Sequence, residues 1–249
     1  MDALVPFANL RGDYSGMAPD WTVPQQLATY SAEDHAVWRT LVERQTALAE
    51  HHACPEFLDG LRTLGIGEGI PDFDAVNARL EPMTGWRVVG VPGLIPDAVF
   101  YDHLAHRRFP VTVWIRKRCE LDYLVEPDLF HDFFGHVPLL SNPLFAGYMQ
   151  RYGQRAMEAG AHIDLLARLY WYTVEFGLIR TPAGLKIYGA GILSSASEVT
   201  HAIEGDVEHL PFEAATVMHR PYVIDRLQNT YFVLDDFRQL FEAADTRVA

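Results

Sequence analysis

The residues best equipped for chemistry stand in one stretch, Glu126-Pro127-Asp128-Leu129-Phe130-His131-Asp132-Phe133-Phe134-Gly135-His136-Val137-Pro138. Two histidines five residues apart point about 140° apart around an ideal helix at roughly 100° per residue, so from the middle of an α-helix they would not meet on one ion. Gly135 offers a way round this. A helix ending near Phe134 with Gly135 left-handed, and forbidden by Pro138 to resume, would swing His136 back towards His131. Two structurally unrelated histidines at a helix end are the other reading of that spacing. Thirty-nine residues after His136 comes Glu175, in the apolar run Leu165-Leu166-Ala167-Arg168-Leu169-Tyr170-Trp171-Tyr172-Thr173-Val174-Glu175-Phe176-Gly177. A carboxylate there is costly to bury unpaired and needs water, a cation or a metal. Two imidazoles and one carboxylate on one face of an octahedral ion leave three positions open, the arrangement with which non-haem Fe(II) binds O2 beside substrates. Zinc more often takes a fourth thiolate or histidine, or keeps one water for hydrolysis.

Other candidates carry less. Trp171, four residues before Glu175, falls on the same helical face and would wall a metal site, or else join Tyr170 and Tyr172 in a core stripe. Arg107, Arg108, Arg116, Lys117 and Arg118 concentrate a quarter of the 20 basic residues, as a solvated strand edge or an anion site. Tyr188-Gly189-Ala190-Gly191 lacks the full dinucleotide fingerprint, and so does Gly65-Ile66-Gly67-Glu68-Gly69. His51, His52 and Cys54 could hold a soft metal, but histidines at a helix C-terminus also simply answer its dipole.

The elements that must position these residues follow from periodicity and punctuation. Residues 1–30 show no sustained period and read as an irregular arm, anchored by Trp21; residues 31–249 form the folded unit, and no linker divides it. Ser31 with Asp34 resembles a capping box opening a helix to His52 through Val37, Trp38, Leu41, Val42 and Leu48. Pro55 starts a second helix that Gly65 stops. A short strand is expected within 84–94, a helix over 97–107, a second strand from Val111 to Ile115, and a short helix from Pro127 through Phe134. Asn142-Pro143 caps and starts a helix towards Gly160, and a long apolar helix covers about Ile163 to Phe176. A hairpin joins 178–180 to 185–188, and Ser195 with Glu198 suggests another capping box. A short helix near Glu213 to His219, a strand near Tyr231 to Leu234 and a helix from Asp236 to Ala244 complete a mostly α chain with a few short strands, an α+β fold.

At 249 residues and 49% hydrophobic composition the chain can bury a sizeable core. A formal charge of -13 argues against nucleic acid and anionic membranes. No apolar run approaches the roughly 18 residues of a membrane span, no basic residue precedes Arg11, and two cysteines without CxxC spacing fit a reducing, cytoplasmic setting.

Three segments together, EPDLFHDFFGHVPLL, LARLYWYTVEFGLI and IYGAGILSS, resemble the catalytic domain of the pterin-dependent aromatic amino acid hydroxylases, and the likeness extends to DWTVPQ, YSAEDHAVWRTL and TYFVLDDFRQLF. It covers nearly the whole chain, with a catalytic domain over 31–249. The resemblance implies iron ligands at His131, His136 and Glu175. It places the receptor of the amino acid's carboxylate at Arg116, oriented by Asp128, and a wall of the aromatic pocket at Trp171. Ser194 and Glu198 fall on supporting positions, and Phe100 on the ring that stacks on the pterin, with Ile95, Ala167 and Tyr170 in the same cleft. Asp132 stands where the animal enzymes carry Glu, so its pterin contact would run through water, and Leu124 replaces a threonine hydroxyl. Ile224 stands where tyrosine hydroxylases have an acid and Trp171 where tryptophan hydroxylases tend to have Phe, which favours L-phenylalanine as substrate and L-tyrosine as product. The implied co-reactants are Fe(II), a tetrahydropterin and O2. Without the animal regulatory and oligomerisation segments, a monomer is expected. Alternatives on the same residues are tryptophan hydroxylation, a non-catalytic metal-binding module, and a zinc hydrolase that needs no oxygen.

Overall fold

The computed structural model describes residues 10–67, 69–224 and 226–245. The first nine residues of the expected arm, Glu68 of the glycine-rich fragment and the last four residues of the expected catalytic domain lie outside them. Residues 10–30 carry one 3-10 turn, Leu27–Thr29, and Trp21 meets Tyr14 edge-on at 6.1 Å.

Helix α1 (Ala32–His52) opens on the expected box: the Asp34 amide donates to Ser31 Oγ at 3.1 Å and the Ser31 amide to Asp34 Oδ2 at 2.8 Å. Its buried face carries Trp38, which meets Phe130 and Phe133 edge-on at 5.6 and 6.3 Å. Helix α2 (Pro55–Leu64) has Pro55 in its first turn and ends on left-handed Gly65. Helix α3 (Phe73–Thr84) is unanticipated by the sequence reading, although Asp72 caps it and Phe73, Val76, Asn77 and Leu80 bury one face. Pro82 in its last turn disguises it.

Strands β1 (Arg87–Val91) and β2 (Arg108–Thr112) pair in parallel around the crossover helix α4 (Asp97–Ala105). The second strand therefore begins and ends three residues earlier than expected, because the register runs Arg87 with Arg108 to Val91 with Thr112. Helix α5 (Pro143–Glu158) starts as expected, with the Asn142 side chain accepting from the amides of Leu144 and Phe145. Helix α6 (Ile163–Tyr170) gives way to a π-helical turn, Trp171–Glu175, so the expected single helix is two kinds of helix end to end.

Beyond it come β3 (Leu178–Thr181), β4 (Gly184–Ile187), α7 (Ala190–Leu193), α8 (Ala196–Glu204), β5 (Glu208–Pro211), α9 (Ala214–His219), β6 (Thr230–Leu234) and α10 (Arg238–Asp245). The hairpin β3–β4 is antiparallel, while β6 lies parallel to both β3 and β5 in the order β4-β3-β6-β5. The second expected box is half formed. Ser195 Oγ accepts from the Glu198 amide at 3.3 Å, but the Glu198 carboxylate turns inward to Gln228 and Tyr231.

The stretch from Pro127 differs most. A second π-helical turn covers His131–His136, and Gly135 is absent from the residues with positive φ, so no left-handed break occurs there. Gly135 serves packing instead: a Cβ on it would lie 3.0 Å from Ala190 Cβ. Buried Phe130, Phe133 and Phe134 nail this turn to one continuous core running from Val37 to Ala244. Full burial of each ring contributes about 2–3 kcal/mol, ample to offset a single irregular helical turn.

Candidate metal centre

A π-helical turn closes its hydrogen bonds from i to i+5, so a residue five positions on returns towards the first. That geometry brings His131 and His136 together, their rings 5.2 Å apart at 84°. The other π-helical turn delivers Glu175 between them: Oε1 lies 3.3 Å from His136 Nε2 and Oε2 lies 3.7 Å from His131 Nε2. One ligand atom from each of the three lies within 4.8 Å of the others, the one such group of histidine, cysteine and acidic side chains among the described residues. Helix α7 sits between the two turns. A Cβ on Gly189 would approach Glu175 O to 2.4 Å and one on Gly191 the Phe176 ring to 2.9 Å, so the glycines that lack a dinucleotide role permit backbone contact here.

Charge and hydrogen bonding ready the three side chains for a cation. Burial pushes the His131 imidazole below its usual value and favours the neutral ring that a metal needs. Burial also pushes Glu175 up, but the His136 and His131 rings outweigh it and hold the carboxyl below the ordinary range. His131 Nδ1 and Ser194 Oγ stand 2.8 Å apart; with Nδ1–H donating to the hydroxyl, Nε2 keeps its lone pair for an ion. Two imidazole nitrogens and a carboxylate are the donor set that suits a divalent metal of the non-haem iron type.

Asp128 ties this group to a guanidinium. Its Oδ1 accepts from the His131 amide at 3.0 Å and from Arg116 Nη2 at 2.8 Å, and its Oδ2 from the Arg116 amide and Nε, both at 2.9 Å. Arg116 Nη1 has only a 3.4 Å contact to Leu121 O, which leaves it able to donate to an incoming anion. Asp132 Oδ2 accepts from the Thr112 amide at 2.8 Å, and burial pushes this carboxyl up.

Aromatic rings enclose the far side. Phe109 lies 5.0 Å from the His136 ring and Tyr170 6.4 Å, and Phe100 meets Tyr170 edge-on at 5.8 Å. Ile95, before α4, and Ala167, on α6, are half-buried. Trp171 stacks on Tyr222 at 4.4 Å and donates to Gln228 Oε1 at 3.1 Å, while buried Glu198 reaches the same Gln228 through its backbone amide. Ile224 is 74% exposed, in the segment between α9 and β6. Phe109, Tyr222 and Gln228 were missed by the sequence reading: the first falls between the expected helix and the expected second strand, and the others stand in a segment without period. An open cleft of about 760 Å³ between the N-terminal segment and β1, lined by Asp20, Asn77, Arg87 and Arg108 among others, contains none of the ligand residues.

Two histidines and a carboxylate, presented by π-helical turns within a helix-rich α+β fold, form a donor set that could hold one metal ion, of the type with which non-haem iron proteins leave positions open for O2. The sequence pattern of the biopterin-dependent aromatic amino acid hydroxylases matches residues 7–246, and the chain belongs to that family. It is similar to the phenylalanine-4-hydroxylase of Ralstonia nicotianae, 56% identical over 235 residues that span 93% of this chain and 75% of that one. A crystal structure of phenylalanine hydroxylase from Chromobacterium violaceum with iron and phenylalanine bound superposes at a TM-score of 0.88, with 51% identity, over 96% of this chain and 87% of that one. Another from that organism, with iron(III) and 7,8-dihydrobiopterin, gives 0.88 at 54% identity, over 95% and 86%.

Proposed function

We propose that the chain is a phenylalanine 4-monooxygenase that converts L-phenylalanine to L-tyrosine, using Fe(II), a tetrahydropterin and O2. The observation that carries this reading is the convergence of His131, His136 and Glu175 beside the Arg116–Asp128 pair. His131, His136 and Glu175 hold the iron; once bound, the metal and the reduced pterin together supply the activation of O2. The chain's own residues determine where that oxidising power falls. Asp128 occupies Nε and Nη2 of Arg116, so the guanidinium stands fixed with Nη1 turned to the carboxylate of the amino acid. Trp171 and Ile224 wall the aromatic ring, with Ser194 and Glu198 supporting from behind. Phe100 would stack against the pterin ring, with Ile95, Ala167 and Tyr170 lining the same cleft and Asp132 placed to contact it through water. Phe109 and Tyr170 flank His136 and keep bulk water from that side.

We further propose a cytoplasmic monomer acting on small molecules, with residues 1–30 as an arm on a single catalytic domain. Support comes from the charge of -13, from two unpaired cysteines and from the absence, among the described residues, of a helix long and apolar enough to cross a membrane.

The test is anaerobic reconstitution with Fe(II), addition of phenylalanine and a tetrahydropterin, admission of O2, and measurement of tyrosine beside pterin oxidation. Tyrosine in proportion to pterin oxidised is expected, and His131→Ala should abolish it while the circular dichroism of the domain stays unchanged. Pterin oxidation with tryptophan but not phenylalanine as the hydroxylated substrate would replace the substrate assignment.

A further inference from the structure

Gln228 is 6% exposed, yet it closes a segment whose Val223, Ile224 and Leu227 are 45%, 74% and 40% exposed. All of its polar groups are engaged. Side-chain Nε2 donates to Val223 O and Arg226 O, each at 3.0 Å, and Oε1 accepts from Trp171 Nε1 at 3.1 Å. Its amide donates to Glu198 Oε1 at 3.1 Å, and its carbonyl lies 3.0 Å from His201 Nε2. Tyr231 steadies the same Glu198 oxygen by donating its hydroxyl at 2.6 Å. Six residues earlier, Tyr222 lies on the Trp171 indole with centroids 4.4 Å apart and planes 17° apart, and Tyr172 donates its hydroxyl to Pro221 O at 2.8 Å. The segment thus grips Trp171 by its face and by its edge.

The two grips do different work. Stacking fixes the plane of the indole but is nearly indifferent to a half-turn about the bond that joins ring to Cβ, a torsion with broad, roughly two-fold preference. The hydrogen bond to Gln228 Oε1 selects one of the two flips. The donor end of the same amide holds the carbonyls of Val223 and Arg226, so ring orientation and the placement of those two carbonyls are set by one group. Trp171 also opens the π-helical turn that ends at Glu175, which places the selected ring edge on the element that carries a ligand residue.

We infer that Gln228 is a positioning residue for the aromatic substrate: through its amide it locks the flip of Trp171 to the backbone at Val223 and Arg226, and so makes the two a single pocket wall. The inference rests on Trp171 serving as the substrate wall in the proposed function. A glutamine that merely filled space would be replaceable by leucine, and one that merely fixed the loop would leave Trp171 uncoupled.

The experiment compares Gln228→Leu, Gln228→Glu, Trp171→Phe and the Gln228→Leu/Trp171→Phe pair in the iron-loaded protein. It reads iron content, KM and kcat for phenylalanine, and the rate of tryptic cleavage after Arg226, whose carbonyl the Gln228 amide holds. Gln228→Leu is expected to raise KM about tenfold, the scale of one lost hydrogen bond, with kcat changed by less than about twofold and iron content unchanged. In the Trp171→Phe background, which has no indole donor, the same substitution should change KM by less than about twofold. Gln228→Glu keeps the acceptor and loses the donors, so KM should rise, but by less than in Gln228→Leu, while cleavage after Arg226 accelerates about fivefold. Effects of Leu and Phe that multiply fully, an unchanged KM in Gln228→Leu, or an unchanged cleavage rate in Gln228→Glu would each overturn the inference. If the leucine variant does not fold, the glutamate variant decides by its cleavage rate and KM. Failure of the unaltered chain to form tyrosine would instead defeat the proposed function, and the cleavage comparison would still report on the clasp.

Discussion

Asp128 is fully buried and spends both carboxylate oxygens on joining Arg116 to the start of the His131 turn. The guanidinium contributes geometry as much as charge, because its planar fork matches Asp128 on one side and can offer Nη1 on the other. Arg116→Lys keeps the charge and loses the fork, and should raise KM for phenylalanine about 10- to 100-fold with iron content unchanged; steady-state kinetics beside a metal assay check both parts. Ser194 acts on the opposite side of the same histidine. Ser194→Ala removes the partner of His131 Nδ1, so the ring can rotate or change tautomer, and iron affinity should fall about 10- to 100-fold in competition with a chelator. At this scale the sequence was legible where residue type is scarce and costly to bury: His131, His136 and Glu175 declare themselves as polar groups in apolar runs. Gln228 could not be read in the same way. An amide in an aperiodic segment acquires meaning only when Trp171, distant in sequence, arrives beside it.

The elements explain why the spacing of the histidines looked wrong for a shared ion. An α-helical count splays residues five apart, and a glycine break is one remedy; the chain instead uses π-helical turns at His131–His136 and Trp171–Glu175 and keeps Gly135 for contact with α7. Such turns leave no mark in apolar periodicity, whereas α1, α2 and α5 were legible from Ser31, Pro55 and Asn142 because caps and prolines act locally. Helix α7 is the spacer between the two turns, and Gly189, at its N-cap, stands closest to Glu175, since a Cβ there would lie 2.4 Å from Glu175 O. Neither backbone can give way without moving Glu175. Gly189→Ala should therefore lower stability by about 1–3 kcal/mol and weaken iron binding with it, seen as a reduced denaturation midpoint and a lower iron content after dialysis. An alanine variant with full iron content would show that α7 fills space and does not gauge the distance between the turns.

At the scale of the whole molecule, the order β4-β3-β6-β5 joins strands more than fifty residues apart in sequence, and no local pattern specifies that pairing. The same holds for residues 10–30, which look unstructured as a sequence yet lie along α4 and β1. The Val23 amide donates to Gly90 O at 2.9 Å, and His103 Nε2 lies 2.9 Å from Asp20 O. His103 is fully buried, and its Nδ1 has no hydrogen-bond partner. With Nε2–H donating to the carbonyl, a second proton would have to sit on Nδ1 without an acceptor. Burial accordingly pushes His103 below its usual value, against the opposing pull of the Asp20 carbonyl, with Arg108 adding to the depression and the Asp20 and Asp102 carboxylates opposing it. The sign follows from linkage: the unfolded chain binds this proton more readily than the folded one, so the contribution is whole above about pH 6.5 and is lost as pH falls towards the depressed folded value. The thermal midpoint of the iron-loaded protein should fall between pH 7 and pH 5. His103→Gln should lower the midpoint at pH 7 and flatten that decline. A decline of equal slope in the variant would assign the pH sensitivity to other groups and leave His103 as a neutral strut under the N-terminal segment.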